Sequence, residues 1–217
     1  MEAPEMLYVD ESILVCVKPA GFLSERGAGQ NLPDALAEYG TVRTVHRLDK
    51  PVGGVMVLAR TQDAAADLIG QIERRETEKV YLAVVRGELA KSSGEMTDLL
   101  FHDARTNKTF VVRRARKGVR EARLRYEVLG VADVDGQRCS LVKVKLETGR
   151  THQIRAQFAS RGHSLLGDIR YGSKHPCGVS LWAYRLSFTH PKTREKMTFE
   201  RRPESVFPWS AFEEVLP

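Results

Sequence analysis

Apolar and polar residues alternate along much of the second half of this chain, whereas apolar residues run together in short blocks along the first half. Ala122, Leu124, Tyr126 and Val128 fall opposite Arg123, Arg125 and Glu127, and Val142, Val144 and Leu146 fall opposite Lys143 and Lys145. A period of two marks strands buried on one face, predicted here at Glu121–Leu129 and Arg138–Leu146. The unbroken blocks Ile13–Lys18 and Val55–Ala59 read as strands buried on both faces. Shorter strand patterns lie at Tyr8–Asp10, Lys79–Arg86, Glu95–Phe101, Thr109–Arg113, Trp182–Phe188 and Lys196–Glu200. Three helices interrupt them. Asn31 caps one that runs through Tyr39, with Pro33 near its start and Gly40 past its end. Thr61 opens a second, to Arg74, with Ala65, Leu68, Ile69 and Ile72 as its apolar stripe. The third spans Thr151–Arg161, stops at Gly162 and turns Ile154 and Phe158 to the core. Runs of strands with few helices predict the α+β class, and 217 residues can bury one self-sufficient core, so a single domain over 1–217 is expected.

The chain carries a net charge of +6, and all of it comes from one place. Between Asp103 and Arg125 nine basic residues face two acids, a net +7, so the remainder sums to −1. A solvated hairpin could carry such a segment, but concentrated charge is also what neutralising phosphates requires, with Arg113, Arg114, Arg116 and Lys117 at its centre. Cys16, Cys139 and Cys177 are far apart and odd in number, which suggests neither a disulfide framework nor a zinc site. The acidic start Met1-Glu2-Ala3-Pro4-Glu5 lacks a secretory pattern and no stretch approaches bilayer length, so a cytoplasmic protein away from membranes is expected.

Two dense clusters carry the candidate chemistry. In His46-Arg47-Leu48-Asp49-Lys50-Pro51-Val52-Gly53-Gly54 a carboxylate sits on a Pro/Gly-rich turn ahead of a buried strand. About a hundred residues later comes Gly149-Arg150-Thr151-His152-Gln153-Ile154-Arg155. Taken alone, an Asp before such a turn usually bonds its own backbone. The pair, in this order, resembles the RluA family of pseudouridine synthases. Lys79-Val80-Tyr81-Leu82-Ala83-Val84-Val85-Arg86-Gly87, Gly167-Asp168-Ile169-Arg170-Tyr171-Gly172, Val17-Lys18-Pro19-Ala20-Gly21 and His190-Pro191 are similar to further segments of the same family. The likeness covers nearly the whole chain. It departs at Val52-Gly53-Gly54, where relatives usually have Thr-Ser-Gly, and at Gln157, where they commonly have His.

The resemblance implies a central mixed, mainly antiparallel sheet with flanking helices and a catalytic cleft. It implies isomerisation of a uridine in structured RNA, ribosomal or transfer, with no cofactor and no resident metal. Asp49 matches the catalytic aspartate, Arg150 the arginine that pairs with it, and Tyr81 the pocket tyrosine that can stack on uracil or relay a proton. Arg47 matches the arginine that fills the space left by a flipped base. Whether the carboxylate attacks sugar, attacks uracil or removes a ribose proton stays open. The first strand of the family pattern starts within ten residues of Met1, so a compact member without the added N-terminal RNA-binding domain is expected. No obligatory protein partner is evident. Two other readings compete: a catalytically silent RNA-binding protein on the same fold, and a metal-dependent phosphoesterase assembled from His46, Asp49 and His152. The second lacks a recognised ligand spacing and a second carboxylate.

Overall fold

Eleven strands occur among the described residues, 3–217 of a computed structural model. In chain order they are β1 (Glu5–Val9), β2 (Ile13–Lys18), β3 (Arg43–Thr44), β4 (Gly53–Ala59), β5 (Glu78–Arg86), β6 (Ser93–Asp103), β7 (Lys108–Val112), β8 (Val119–Val134), β9 (Gln137–Leu146), β10 (Leu181–Thr189) and β11 (Lys196–Glu200). Three α-helices accompany them: α1 (Leu32–Ala35), α2 (Gln62–Glu73) and α3 (Gln153–Ala159). The class is α+β. Contacts divide the chain into two units, one up to Lys79 together with Trp182–Arg202, the other Val80–Leu181 with Pro203–Pro217.

In the first unit the strands run β1-β2-β4-β10, with β3 on β4 and β11 on β10. β10 lies parallel to β4 and the other pairings are antiparallel, so the sheet is mixed. β2 and β4 are buried at every position, as their unbroken apolar runs require. Ile13, Val15, Val55, Val57, Ala59, Leu186 and Phe188 form one face, and Ala64, Ala65 and Leu68 of α2 cover it. The Thr61 hydroxyl accepts from the Ala64 N–H and starts this helix, as expected. The stripe is rotated from the expected one. Ile69 faces out at 42 % exposure, and Gln71 is fully buried in its stead. Gln71 bonds both the N–H and the C=O of Thr189, completing backbone groups that β10 leaves at its end. The expected helix from Asn31 to Tyr39 breaks at Leu36 into α1 and a 3₁₀ turn, although Asn31 caps it as foreseen.

The second unit has the order β5-β9-β8-β6-β7, and the pairings from β9 to β7 are antiparallel. β8 runs farther than its alternation suggested because a bulge between Val128 and Gly130 restores pairing as far as the Asp135-Gly136 turn. Ala122, Leu124, Met96 and Leu100 are buried on one face, beneath α3. Phe158 of α3 meets Tyr126 edge-on, ring centroids 5.8 Å apart. Gln157 is buried there too, donating to Asp98 Oδ2 at 2.7 Å and Met96 O at 3.3 Å. The opposite sheet face carries Arg123, Arg125 and Glu127, with Arg125 paired to Glu95 and Glu147.

Candidate active site

Asp49 is half-buried on a turn whose two ends are fixed. Before it, the Ser24 hydroxyl donates to Leu48 O at 2.9 Å and accepts from Leu48 N–H at 3.0 Å, which clamps the peptides on either side of Leu48. After it, Val52 N–H donates to Asp49 O at 2.9 Å and closes the turn over Lys50-Pro51. Gly53 and Gly54 then pass close to β10. A side chain on Gly53 would strike the Trp182 ring, and one on Gly54 the backbone of Ala183, besides needing a φ of +122°. The Val-Gly-Gly departure therefore fits an acid-bearing loop backed by buried Val52 and by close strand contact. A carboxylate on so fixed a backbone can serve as nucleophile or base without first being ordered.

Lys18, at the end of β2, was not singled out by its sequence position except as part of a motif. It is fully buried, and its ammonium donates to Pro19 O (2.9 Å), Phe22 O (2.7 Å) and Lys50 O (3.3 Å), the last on the Asp49 turn. Burial pushes its pKa down to about 8, with the Asp49 carboxylate opposing part of the shift. Above about pH 8 the folded chain releases this proton while the unfolded chain keeps it to about pH 10.5, so this group's contribution to stability rises with pH across that window. Below pH 8 the full cost of the buried charge is present. Urea unfolding of the parent and of Lys18→Met at about pH 7 and pH 9.5 is expected to show the parent gaining stability relative to the variant at the higher pH.

His46 is held neutral: its Nε2 accepts from Val57 N–H at 3.2 Å, and burial, with the Lys79 ammonium in its surroundings, keeps it well below the ordinary histidine range. Arg47 is exposed and bonds Glu25 Oε1 at 3.0 Å. An exposed pair of this kind holds the side chain only weakly, which leaves it able to reorient.

In the second unit Tyr81 is buried on β5. Arg150 is exposed, its Nε donating to Glu121 O at 3.1 Å and its N–H to Gln153 Oε1. The buried guanidinium of that motif is Arg155, which sequence reading passed over. It makes a two-pronged pair with Asp168, Nε to Oδ2 at 2.6 Å and Nη2 to Oδ1 at 2.9 Å, and lies 5.1 Å from the Tyr171 ring centroid. The Tyr171 hydroxyl accepts from Thr109 N–H and bonds His152 Nδ1, while Thr109 Oγ1 donates to Thr151 O. His152, in the left-handed region at φ 53°, is thus a hydrogen-bonding residue at the start of α3. Arg113, Arg114, Arg116 and Lys117 are all exposed between β7 and β8. Among the described residues no three His, Cys, Asp or Glu side chains gather in a way that could hold a metal ion, and no helix is long and apolar enough to cross a membrane.

Residues 12–160 match the family model described as RNA pseudouridylate synthase. An uncharacterized RNA pseudouridine synthase of Aquifex aeolicus is 36 % identical over 94 % of this chain and 72 % of its own. A ribosomal large subunit pseudouridine synthase D of Neisseria meningitidis is 32 % identical, and this chain spans 60 % of its length. A dual-specificity RNA pseudouridine synthase of Yersinia pestis is 34 % identical over 92 % of this chain and 98 % of its own. Among solved structures, human RNA pseudouridylate synthase domain containing 1 superposes with a TM-score of 0.80 at 24 % identity, over 94 % of this chain and 85 % of its own, a likeness of fold.

Proposed function

Because this chain belongs to the RNA pseudouridylate synthase family and is therefore an isomerase acting on RNA, we propose that it converts a specific uridine of ribosomal or transfer RNA with Asp49 as its catalytic carboxylate. The observation that carries the proposal is the clamped turn: Ser24 and Val52 fix the backbone on either side of the one acid in the His-Arg-Leu-Asp motif. The chemistry breaks the bond from ribose C1′ to N1, turns the uracil and rejoins it through C5, which gives up its proton while N1 gains one, so there is no net redox change. A carboxylate is sufficient as nucleophile or base, and the freed base has to be retained. The relative named for the ribosomal large subunit, and a tRNA pseudouridine synthase C of Yersinia pestis that is 32 % identical over 94 % of this chain, support both substrate classes. We further propose that the two units act together as one catalytic domain in the cytoplasm.

Tyr81 and Arg150 are the proposed catalytic partners and Arg47 the residue that steadies the flipped-out state of the RNA. Arg155 joins them as a candidate, because Asp168 and Tyr171 hold its guanidinium in place in advance. Mapping of pseudouridine by selective carbodiimide derivatisation and primer extension, in RNA from cells with and without the protein, tests the function. A site lost with the gene and regained with the parent, but not with Asp49→Asn, supports it. Unchanged pseudouridine with RNA still bound would instead support the silent RNA-binding reading.

The basic segment is the proposed RNA-binding surface. Replacing Arg113, Arg114, Arg116 and Lys117 together with Ser is expected to weaken RNA binding and to flatten its dependence on salt. Each lost phosphate contact removes about 0.7–0.9 from the log–log slope. Filter binding across a salt series checks this, and an unchanged slope would move the RNA to the strands bearing Lys143 and Lys145.

A further inference from the structure

The basic segment also displays an aromatic side chain. β7 ends its sheet as an edge strand, and on it Phe110 is 43 % exposed, directly across from Phe101 on β6. Single exposed apolar residues are ordinary on protein surfaces. Here the surroundings are not. Lys108 Nζ lies 5.6 Å from the Phe110 ring centroid and 5.4 Å from that of Tyr171, and the Arg116 guanidinium lies 4.7 Å from the Phe101 centroid. Two cations of a +7 segment are therefore braced on rings beside an exposed third ring.

The strand that carries Phe110 is held from below and at its turn. Thr109 N–H donates to Tyr171 OH at 2.8 Å and Thr109 Oγ1 to Thr151 O at 2.8 Å. Arg170 Nη1 donates to Thr106 O at 2.7 Å and to Asn107 O at 2.8 Å, pinning the turn between β6 and β7. A ring on so braced a strand loses little freedom when something stacks on it. Cations alone would serve phosphates, and an aromatic surface alone could serve many partners. Together they match one ligand chemistry, a nucleic acid strand whose bases are unstacked and open.

We propose that Phe110 stacks on an unpaired base of the RNA substrate while Arg116 and Lys108 take the adjoining phosphates. This rests on RNA being the substrate and adds to it a requirement for a single-stranded or looped segment at β7. The salt dependence separates ring from cations, because stacking releases no counterions. Phe110→Ala is expected to weaken binding of a short unstructured oligoribonucleotide roughly 5–100-fold, with the log–log salt slope unchanged. Arg116→Ser is expected to lower the slope. Phe110→Ala should leave binding of inorganic polyphosphate at the parent value, since polyphosphate offers no base.

Phe110→Trp supplies a second readout that does not depend on removing the ring. Its added emission should be quenched by the oligonucleotide and left unquenched by a chain of abasic nucleotides. Parent affinity in Phe110→Ala, a slope lowered as far as in Arg116→Ser, equal loss for polyphosphate, or no base-dependent quenching in Phe110→Trp would each overturn the proposal. Pseudouridine formation by the parent and by Phe110→Ala, measured on ribosomal and transfer RNA from cells lacking the protein, keeps the two readings apart. Base-dependent stacking without isomerisation would sink the isomerase assignment alone, and isomerisation with no effect at Phe110 would sink this inference alone.

Discussion

Asp49→Asn is expected to reduce pseudouridine formation by about three orders of magnitude or more while leaving RNA affinity within a few-fold of the parent. The amide keeps the size and shape of the acid but supplies neither a nucleophile nor a base. The backbone of the turn is held by groups other than the carboxylate: Ser24 grips Leu48 and Val52 N–H bonds the Asp49 carbonyl. A loss of turnover that came with a loss of folding would therefore point to the Lys18 ammonium, whose surroundings include the Asp49 charge, and not to chemistry. Single-turnover assays with saturating enzyme, read beside urea unfolding, separate the two. Substantial turnover by a purified, contamination-free Asp49→Asn variant would falsify the assignment.

The fold was legible wherever one physical demand dominated a segment. β2 and β4 are unbroken apolar runs because both their faces are covered, and β8 alternates because only one of its faces is. The failures occur where a buried polar group does a job that a hydrophobicity pattern does not encode. α2 turns Gln71 inward and Ile69 outward because the end of β10 presents an N–H and a C=O that only an amide can satisfy together. A stripe built from apolar residues alone rotates the helix wrongly.

The candidate site was legible at Asp49, where a motif and a turn coincide, and less so around it. Ser24 lies 24 positions before the residue it clamps, in a loop with no periodicity, so nothing local announces the contact. Lys18 reads as the polar end of an apolar strand until the three carbonyls around it are seen. Arg150 and Arg155 belong to one motif, and only packing distinguishes them. Gln153 through Phe158 are all buried in a helix of seven residues, so α3 has almost no polar face from which to judge which arginine points inward. The sequence of the Gly-Asp-x-x-Tyr-Gly segment held the missing signal, since it supplies both the carboxylate and the ring that hold Arg155.

That buried pair sets the second large effect. The side chains of Arg155 and Asp168 are 4 % and 1 % exposed, so water does little to stabilise either charge. Asp168→Asn removes the negative charge and one strong acceptor but leaves the guanidinium where it was. Breaking a buried pair from one side costs about 3–5 kcal/mol, well above the roughly 0–1 kcal/mol of an exposed pair such as Arg47–Glu25. The loss should spread along a specific route. Arg155 packs on the Tyr171 ring, and the Tyr171 hydroxyl accepts the Thr109 N–H at the edge of the sheet. Amide exchange at Thr109 is therefore expected to accelerate more than exchange in β2 and β4, which belong to the other unit. Urea unfolding measures the total, and a double variant, Arg155→Met with Asp168→Leu, tests its origin. If the cost comes from a stranded charge, the double variant loses less than the sum of the two single ones, with a coupling of about 1 kcal/mol or more. Additive losses, or a single-variant effect below about 1 kcal/mol, would mean that water or another group satisfies Arg155 as well as Asp168 does.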